Sequence, residues 1–516
     1  MRITNKIMQK NNLAKINTNK IYQDKLSNQM STQKKVNRPS DDPVVAIRAL
    51  RLRSTVTEIT QYYSKNIPDA NSWLDVTEDS LKNLTAIVTD MIKQCTKGSN
   101  GDLTSEDRLI ILEQLNALGD EIYSTADADY AGRFVFAGYR TDTPISFQSE
   151  STDNYEITEK ITSKDIDDTT HVITDSLLDI NSSNFDTINL NETAISSVDV
   201  HRIRLAYNNC SEDCVPTITF TERNADGSIA GTTTLTADTV MNSYDEKNGL
   251  DPYSYVKENG GVVYLPDTGE ILIGDDEYNK LMATKDDTGS IQNESEIMVS
   301  YEKKNWRTGD LRPEHYYYCN NTTKNIEYNK EYLTGEAQTQ VIEYDVGFNQ
   351  RIRVNATANE CFKTGIGREV NDLVTAMQEV VNVERVKTTI EDKLKDENLS
   401  DADRKKLEEQ LAAADKAYTL TKDKCQKLFE GGITEFQGYL DDANLCITDT
   451  GTRSKKLELI QNRMQNQKTT FETLKSENED IDITEVAIQL NSAELTYEAA
   501  LMATGKIMQT TLLNFI

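Results

Sequence analysis

The sequence predicts an α+β multidomain protein. Both termini form a long α-helical coiled-coil rod, and a β-rich domain is inserted between them. Three observations carry this. Residues 1 to about 145 and about 365 to 516 show helical periodicity, while residues 148–360 show strand and turn patterns. The two ends carry opposite charge. Met1 to Arg53 hold twelve basic residues against three acidic ones, a net of +9. Ser476 to Ile516 hold one basic residue against seven acidic ones, a net of −6. Finally, Leu457, Ile460, Met464, Gln467, Phe471, Leu474, Asn478 and Ile481 alternate in steps of three and four, the seam of a coiled coil. Remote helical ends of opposite sign are expected to meet, within one molecule or between copies.

Taken in order, residues 1–36 read as a weak helix. Ile3, Ile7, Leu13, Ile16 and Ile21 make a thin seam among many asparagines. Such a helix depends on packing partners and should fray alone. Arg38-Pro39-Ser40-Asp41-Asp42-Pro43 interrupts it. Asp42 before Pro43 fits an N-cap followed by proline in the first turn. The next helix carries Trp73, Leu81, Leu84, Val88 and Met91 on one stripe and ends near Gly98. Pro68 should kink or break it. Thr104 to Asp107 open a third helix with Ile111, Leu115, Leu118 and Ile122 on its inner face. Gly132 is expected to end that helix, Arg133 to Tyr139 to form a strand, and Thr143 to Phe147 to pair with it.

Within 148–360, Ala225-Asp226-Gly227 and Asp267-Thr268-Gly269 mark two hairpins. Gly274-Asp275-Asp276-Glu277 lacks the ligand spacing of a calcium loop and reads as a solvated acidic turn. Helix resumes near Ile366. The charged stretch 384–428 looks like a helical hairpin with a cap at Ser400 to Asp403. The last helix uses Val486, Leu490, Ala493, Tyr497, Leu501, Met508, Leu512 and Phe515. The expected division is 1–42 with 482–516, then 43–147 with 361–481, then the insert 148–360. The insert should have its own core, touch the rod little and be dispensable for assembly.

The net charge of −29 disfavours nucleic acid and anionic membrane as partners. No apolar run is long enough to cross a membrane. The first residues lack the apolar core of a secretory signal, so the chain either stays inside or leaves by another machine. Seven irregularly spaced cysteines read as unpaired thiols; Cys210, Cys214 and His201 do not have a zinc spacing. No phosphate-binding loop, dinucleotide fingerprint, zinc-protease helix or nucleophile elbow occurs. The reading is a protein without catalytic, cofactor or metal residues.

The ends resemble the flagellin-like axial proteins of the bacterial flagellum, and within them the hook-associated, hook–filament junction branch. The resemblance rests on Met1-Arg2-Ile3-Thr4, on Arg38 to Pro43, and on Gly132-Arg133-Phe134-Val135-Phe136-Ala137-Gly138-Tyr139-Arg140-Thr141. Ala499 to Thr504 and Leu512 to Ile516 carry it at the other end. It covers 1–147 and 430–516, and Pro68 and the length of 384–428 depart from it. It implies a structural protein exported through the flagellar type III channel with an export chaperone on the C-terminal helix. Its partners would be copies of itself in a ring, a neighbouring hook-associated protein and flagellin. The assembly interface would include Ile3, Ile7, Leu13, Arg38, Asp41, Asp42, Tyr497, Leu501, Met508, Leu512 and Phe515. The rod core would include Trp73, Leu84, Met91, Leu115, Met464, Phe471 and Leu474, with Phe471 and Leu474 facing the helix of Trp73 and Leu84. A filament flagellin is the first alternative, and a secreted coiled-coil adhesin the second. A hydrolase in the insert is the weakest reading.

Overall fold

The computed structural model describes residues 5–513 except 163–164, 182, 224–228, 248–249, 283–296, 335–339 and 397–398. In chain order the elements begin with α1 (Asn5–Thr32), α2 (Pro43–Gln61), a π turn (Tyr62–Asn66), α3 (Ile67–Gly98) and α4 (Ser105–Ala126). Then come β1 (Asp129–Tyr130), β2 (Arg133–Phe134), β3 (Tyr155–Ile161), β4 (Ile166–Val172), α5 (Asp175–Leu178), β5 (Ser197–Arg204), β6 (Thr217–Arg223), β7 (Ile229–Thr236) and β8 (Thr239–Val240). They continue with α6 (Pro252–Asn259), β9 (Val262–Leu265), β10 (Glu270–Ile273), α7 (Asp275–Met282), β11 (Ile297–Lys303), β12 (Tyr318–Asn321) and β13 (Ile326–Tyr328). The chain closes with α8 (Glu331–Thr334), β14 (Glu343–Gly347), β15 (Gln350–Arg353), α9 (Ala358–Cys361), α10 (Gly365–Leu394), α11 (Asp401–Glu479) and α12 (Ile483–Leu513). Long terminal helices around a β-rich middle are the architecture the periodicity predicts.

Two compact units emerge. One comprises Met1–Asn71, Tyr344–Ile352 and Lys455–Ile516; the other comprises Ser72–Glu343 and Arg353–Ser454. The segment 344–352 therefore groups with the terminal helices and not with the rest of 148–360.

Local sequence explains the helix starts. The Asp42 carboxylate accepts the N–H groups of Val44 and Val45 at 3.0 and 3.1 Å, with Pro43 in the first turn. Thr104 and Asp107 form a reciprocal capping box. Ser400 Oγ accepts the Asp403 N–H at 3.1 Å and opens α11, so the expected hairpin of 384–428 is the α10–α11 turn.

Pro68 does not break the helix. The Ile67 N–H reaches back five residues to the Tyr62 carbonyl, which defines the π turn. This one-residue insertion just ahead of Pro68 lets the helix run on past a residue that has no N–H to give.

The second unit has a helical part, two larger sheets and the two-stranded β1–β2 sheet. On the helical side, α3 meets α11 where Gly98 lies under Phe429, and α4 meets α10 where Gly119 lies against Val370. Trp73, Leu84, Met91 and Leu115 are buried as expected. The Trp73 ring sits edge-on to Tyr130 at 6.2 Å, with the Arg133 guanidinium 5.0 Å from its centroid. A Cβ on Gly98 would stand 2.2 Å from the Phe429 ring. Gly98→Ala is expected to cost about 1–3 kcal/mol by overpacking. Gly101→Ala, where the nearest atom is 3.6 Å away, should be neutral. Urea unfolding midpoints of the two variants test the difference.

Strand order is β4-β5-β10-β9-β8 in a five-stranded sheet and β13-β12-β3-β11-β6-β7 in a six-stranded one. All pairings are antiparallel except β8 with β9. Both hairpins read from sequence form as β6–β7 and β9–β10. The Ala225–Gly227 turn itself lies outside the described residues. In β11, Ile297, Val299, Tyr301 and Lys303 point inward in strict alternation. Lys303 is held over Trp306 at 5.2 Å and donates to the Asn208 carbonyl at 2.5 Å.

Four local expectations change. The helix before Gly132 ends at Ala126, and Ala131 and Gly132, both at positive φ, turn a two-residue hairpin joining β1 to β2. The strand expected over 133–139 stops at Phe134, because Gly138 at φ +62 turns the chain and Phe136 is buried against Phe362. The segment 145–147 pairs with 310–312 instead, through Phe147 N–H to Asp310 O at 2.8 Å and Arg312 N–H to Ile145 O at 2.8 Å. Asp275 to Glu277 are the acidic first turn of α7, where carboxylates oppose the positive helix end.

The insert also grips the helices. Leu177, Ile180, Leu190 and Ile195 form one buried cluster with Val383, Val386 and Ile390 of α10 and Leu407, Ala413, Ala414 and Ala417 of α11. Gln410 donates to the carbonyls of Phe185 and Ile188 at 2.8 Å. Arg368 of α10 donates to the Arg204 carbonyl at 2.6 Å. The expectation of few contacts is therefore wrong: α10 and α11 are the platform on which residues 177–195 sit.

Candidate assembly surface

The first unit is built around an antiparallel pair, α1 with α12. Leu26, Val486 and Ala493 form its buried centre, with Met30, Ile481 and Leu490 packed on it. Tyr22 donates to Gln489 at 3.3 Å, and Gln23 to Glu494 at 3.4 Å. The oppositely charged ends thus meet within one molecule.

Where α1 ends, Gln33 at φ +58 turns the chain against the end of α11. Lys35 N–H donates to Glu479 O at 2.7 Å, and Ile481 N–H to Gln33 O at 3.2 Å. Glu479 is the charged centre of this crossing. Its carboxylate is only 4% exposed. Arg53 holds it bidentately, Nε at 2.6 Å and Nη2 at 2.8 Å, and Lys34 lies 3.5 Å away. Lys34 also pairs with Asp480. The Arg53 hydrogen bonds hold the Glu479 carboxyl below the ordinary glutamate range, against the opposing effect of burial. A depressed carboxylate contributes stability above its unfolded pKa, and that contribution is lost as pH falls through the folded value. Glu479→Gln should therefore cost this unit about 1 kcal/mol at pH 7, discounted because Lys34 and Arg53 are partly exposed. The gap to the parent should narrow as pH falls below the ordinary glutamate value of 4.5. Melting curves at pH 7 and pH 3 read it.

The heptad seam on α11 is only partly a core. Leu457, Ile460 and Met464 are buried, Phe471 is half-buried, and Leu474 is 43% exposed. Residues 468–479 lie beside α2 and the π turn. Lys468 sits over Tyr63 at 5.6 Å, and Asn478 donates to Val45 O at 3.3 Å. Their neighbour is thus the 45–63 stretch, the N-terminal part of the helix that runs on past Pro68 to Trp73 and Leu84. A long lysine stem and an arginine–glutamate pair occupy the contact where two apolar rows were expected.

The terminal residues expected at the interface are exposed. Ile7 and Leu13 face solvent, as does Leu501, and Tyr497 is half-buried. Ile3 and Phe515 lie outside the described residues; Met508 and Leu512 lie in α12, and their side chains are also outside them. Asp41 accepts the Arg38 N–H at 3.0 Å and Asp42 caps α2, so both shape the turn locally, while Arg38 is exposed. Sequence reasoning missed Ile488, Leu495 and Met502 on α12 and Val44, Ile47 and Leu50 on α2, all exposed. A count of apolar residues on the helix side opposite the seam would have found them.

Sixteen of the twenty-four exposed large hydrophobic residues among those described fall in this unit, which holds 142 of the 516 residues. Uncovered apolar side chains in such number on one unit are the physical signature of an interaction surface. By contrast, Cys210 is buried and gives its thiol to the Tyr207 carbonyl at 3.3 Å, and all seven cysteines are unpaired. Among the described residues no group of three metal-ligating side chains occurs, and no helix is long and apolar enough to cross a membrane.

Residues 3–141 match the bacterial flagellin N-terminal helical region. The flagellar hook-associated protein 3 of Salmonella typhimurium is 31% identical over 143 residues, 28% of this chain and 45% of that protein. Its Escherichia coli counterpart is 31% identical over 144 residues, with the same coverage. The chain spans less than half the length of the curated relatives it matches. Among solved structures, a putative flagellar hook-associated protein from Vibrio parahaemolyticus is 14% identical, covering 85% of this chain and 100% of its own, with a TM-score of 0.34. The flagellar junction protein FlgL from Legionella pneumophila is 11% identical over 80% of this chain and 99% of its own, with a TM-score of 0.24. The resemblance read from the N-terminal motifs holds over residues 3–141: the chain is similar to flagellin-like, hook-associated proteins.

Proposed function

We propose that this chain is a structural component of the bacterial flagellum that joins hook to filament, without catalytic activity. The observation that carries the reading is the exposed apolar surface of α1, α2 and α12, in a chain whose residues 3–141 are similar to a flagellin N-terminal region. Such a surface costs free energy in water, and neighbouring subunits that cover it would remove that cost. Residues 1–42 with 482–516 would form the tube core and 43–147 with 361–481 the surrounding helices. The 148–360 insert would face outward. Copies would form a ring between a neighbouring hook-associated protein and flagellin. The chain would leave the cell unfolded through the flagellar type III channel, and a chaperone on α12 would cover its apolar side chains beforehand. Immunogold labelling tests this. The expected result is one cluster of label per flagellum, at the base of the filament. Label along the whole filament would favour a flagellin, and label spread over the cell surface an adhesin.

A further inference from the structure

We propose that copies of this chain join through one specific helix contact: the outer face of α1 in one copy docks antiparallel onto the outer face of α12 in the next. The inference rests on the assembly reading above and names the surfaces that reading leaves open.

Residues seven apart lie about two turns apart on the same helix face. On α1, Leu26 and Met30 pack with α12, and Ile16 is buried. The opposite side presents Ile7, Ala14 and Ile21, spaced by seven, with Ile7 49% and Ile21 72% exposed. On α12, Val486 and Ala493 face α1. Its opposite side presents Ile488, Leu495 and Met502, again spaced by seven, and 65%, 67% and 67% exposed. The α1–α12 pair therefore has an apolar row on each of its two outer sides, at matching spacing. A helix apolar on both sides is a helix with two partners.

Charge decides which row meets which. Lys10 and Lys25 flank the α1 row, and α1 carries five lysines against Asp24. Glu485 and Glu498 flank the α12 row, Glu485 also taking a hydrogen bond from Gln489 at 3.0 Å. Joining like rows would set lysine on lysine or glutamate on glutamate, so unlike rows join. Because the two rows lie on opposite sides of one pair, the contact is head-to-tail, the kind that closes a ring.

Copies related by rotation about an axis along the helices keep α1 of one copy antiparallel to α12 of the next. One register then satisfies both chemistries. Ile7 faces Met502, Ala14 faces Leu495 and Ile21 faces Ile488, while Lys10 comes beside Glu498 and Lys25 beside Glu485. The small Ala14 sits opposite the branched Leu495, as interdigitation requires.

The test is a charge swap in the full chain, expressed in place of the parent gene, with incorporation into surface appendages normalised to secreted chain. Lys10→Glu with Lys25→Glu should cut incorporation about tenfold or more, as should Glu485→Lys with Glu498→Lys. Combining all four should restore it. Half-swaps that incorporate like the parent, or a fourfold variant as poor as the halves, would overturn the contact. In a second arm, Ala14→Cys with Leu495→Cys should give chain-to-chain disulfides on oxidation, which neither single variant gives. Incorporation of that variant without crosslinks would overturn the contact and leave the assembly reading intact. Crosslinks in copies found away from the hook–filament junction would keep the contact and remove the junction assignment.

Discussion

Replacing residues 150–355 by a short Gly/Ser linker is expected to leave a chain that does not fold stably. The insert is tied into the helices that flank it. Leu177, Ile180, Leu190 and Ile195 cover Val383, Val386, Ile390 and Leu407, all buried in the intact protein. At about 1.5–3 kcal/mol for each of the four side chains removed, the loss is roughly 6–12 kcal/mol, comparable to the whole stability of a domain. The truncated chain should melt without a cooperative transition and be cleaved by protease within 384–428. The full-length double variant Leu177→Ser with Ile195→Ser should weaken the same region in the same direction. A truncated chain that melts like the parent would show that the α10–α11 pair is stable uncovered.

Removing Arg202 should be the most damaging single substitution in the insert. Its guanidinium is 9% exposed and meets Glu270 at 2.7 Å, Asp167 at 2.7 Å and Asp372 of α10 at 2.9 Å. Burial alone would push the Glu270 carboxyl up, but Arg202 and Arg204 hold it at about 2. Arg202→Ala strands these carboxylates at a cost of about 3–5 kcal/mol. The sign with pH follows from linkage. The parent keeps the full contribution of Glu270 above the ordinary glutamate value of 4.5 and loses it as pH falls toward 2. The gap between parent and variant should be widest near pH 7 and narrow steadily below pH 4.5. Urea unfolding at several pH values measures it; a gap that widens in acid would refute the account.

The parts of the fold legible in the sequence are those set by neighbours a few residues apart. The caps at Asp42, Thr104 and Ser400, the β9–β10 hairpin and the buried stripe through Trp73, Leu84 and Met91 are of this kind. Helix period, capping chemistry and turn propensity are short-range, so composition and spacing suffice to read them. Pro68 shows the limit of that reading. Proline's lack of an N–H is certain from sequence, but whether the helix breaks or absorbs the defect in a π turn depends on what packs around it.

Helical, oppositely charged ends with enough apolar residues to pair, and a strand-rich middle, follow from local composition and spacing alone. Which faces pair is a matter of long-range packing. It placed α1 against α12 through Leu26, Val486 and Ala493, and so left Ile488, Leu495 and Met502 uncovered. It also set residues 177–195 on the α10–α11 hairpin and Arg202 beside Asp372. These contacts join residues about 170 to 470 positions apart. Long-range choices of that kind turn on shape, buried charge and competing partners, which no local period records.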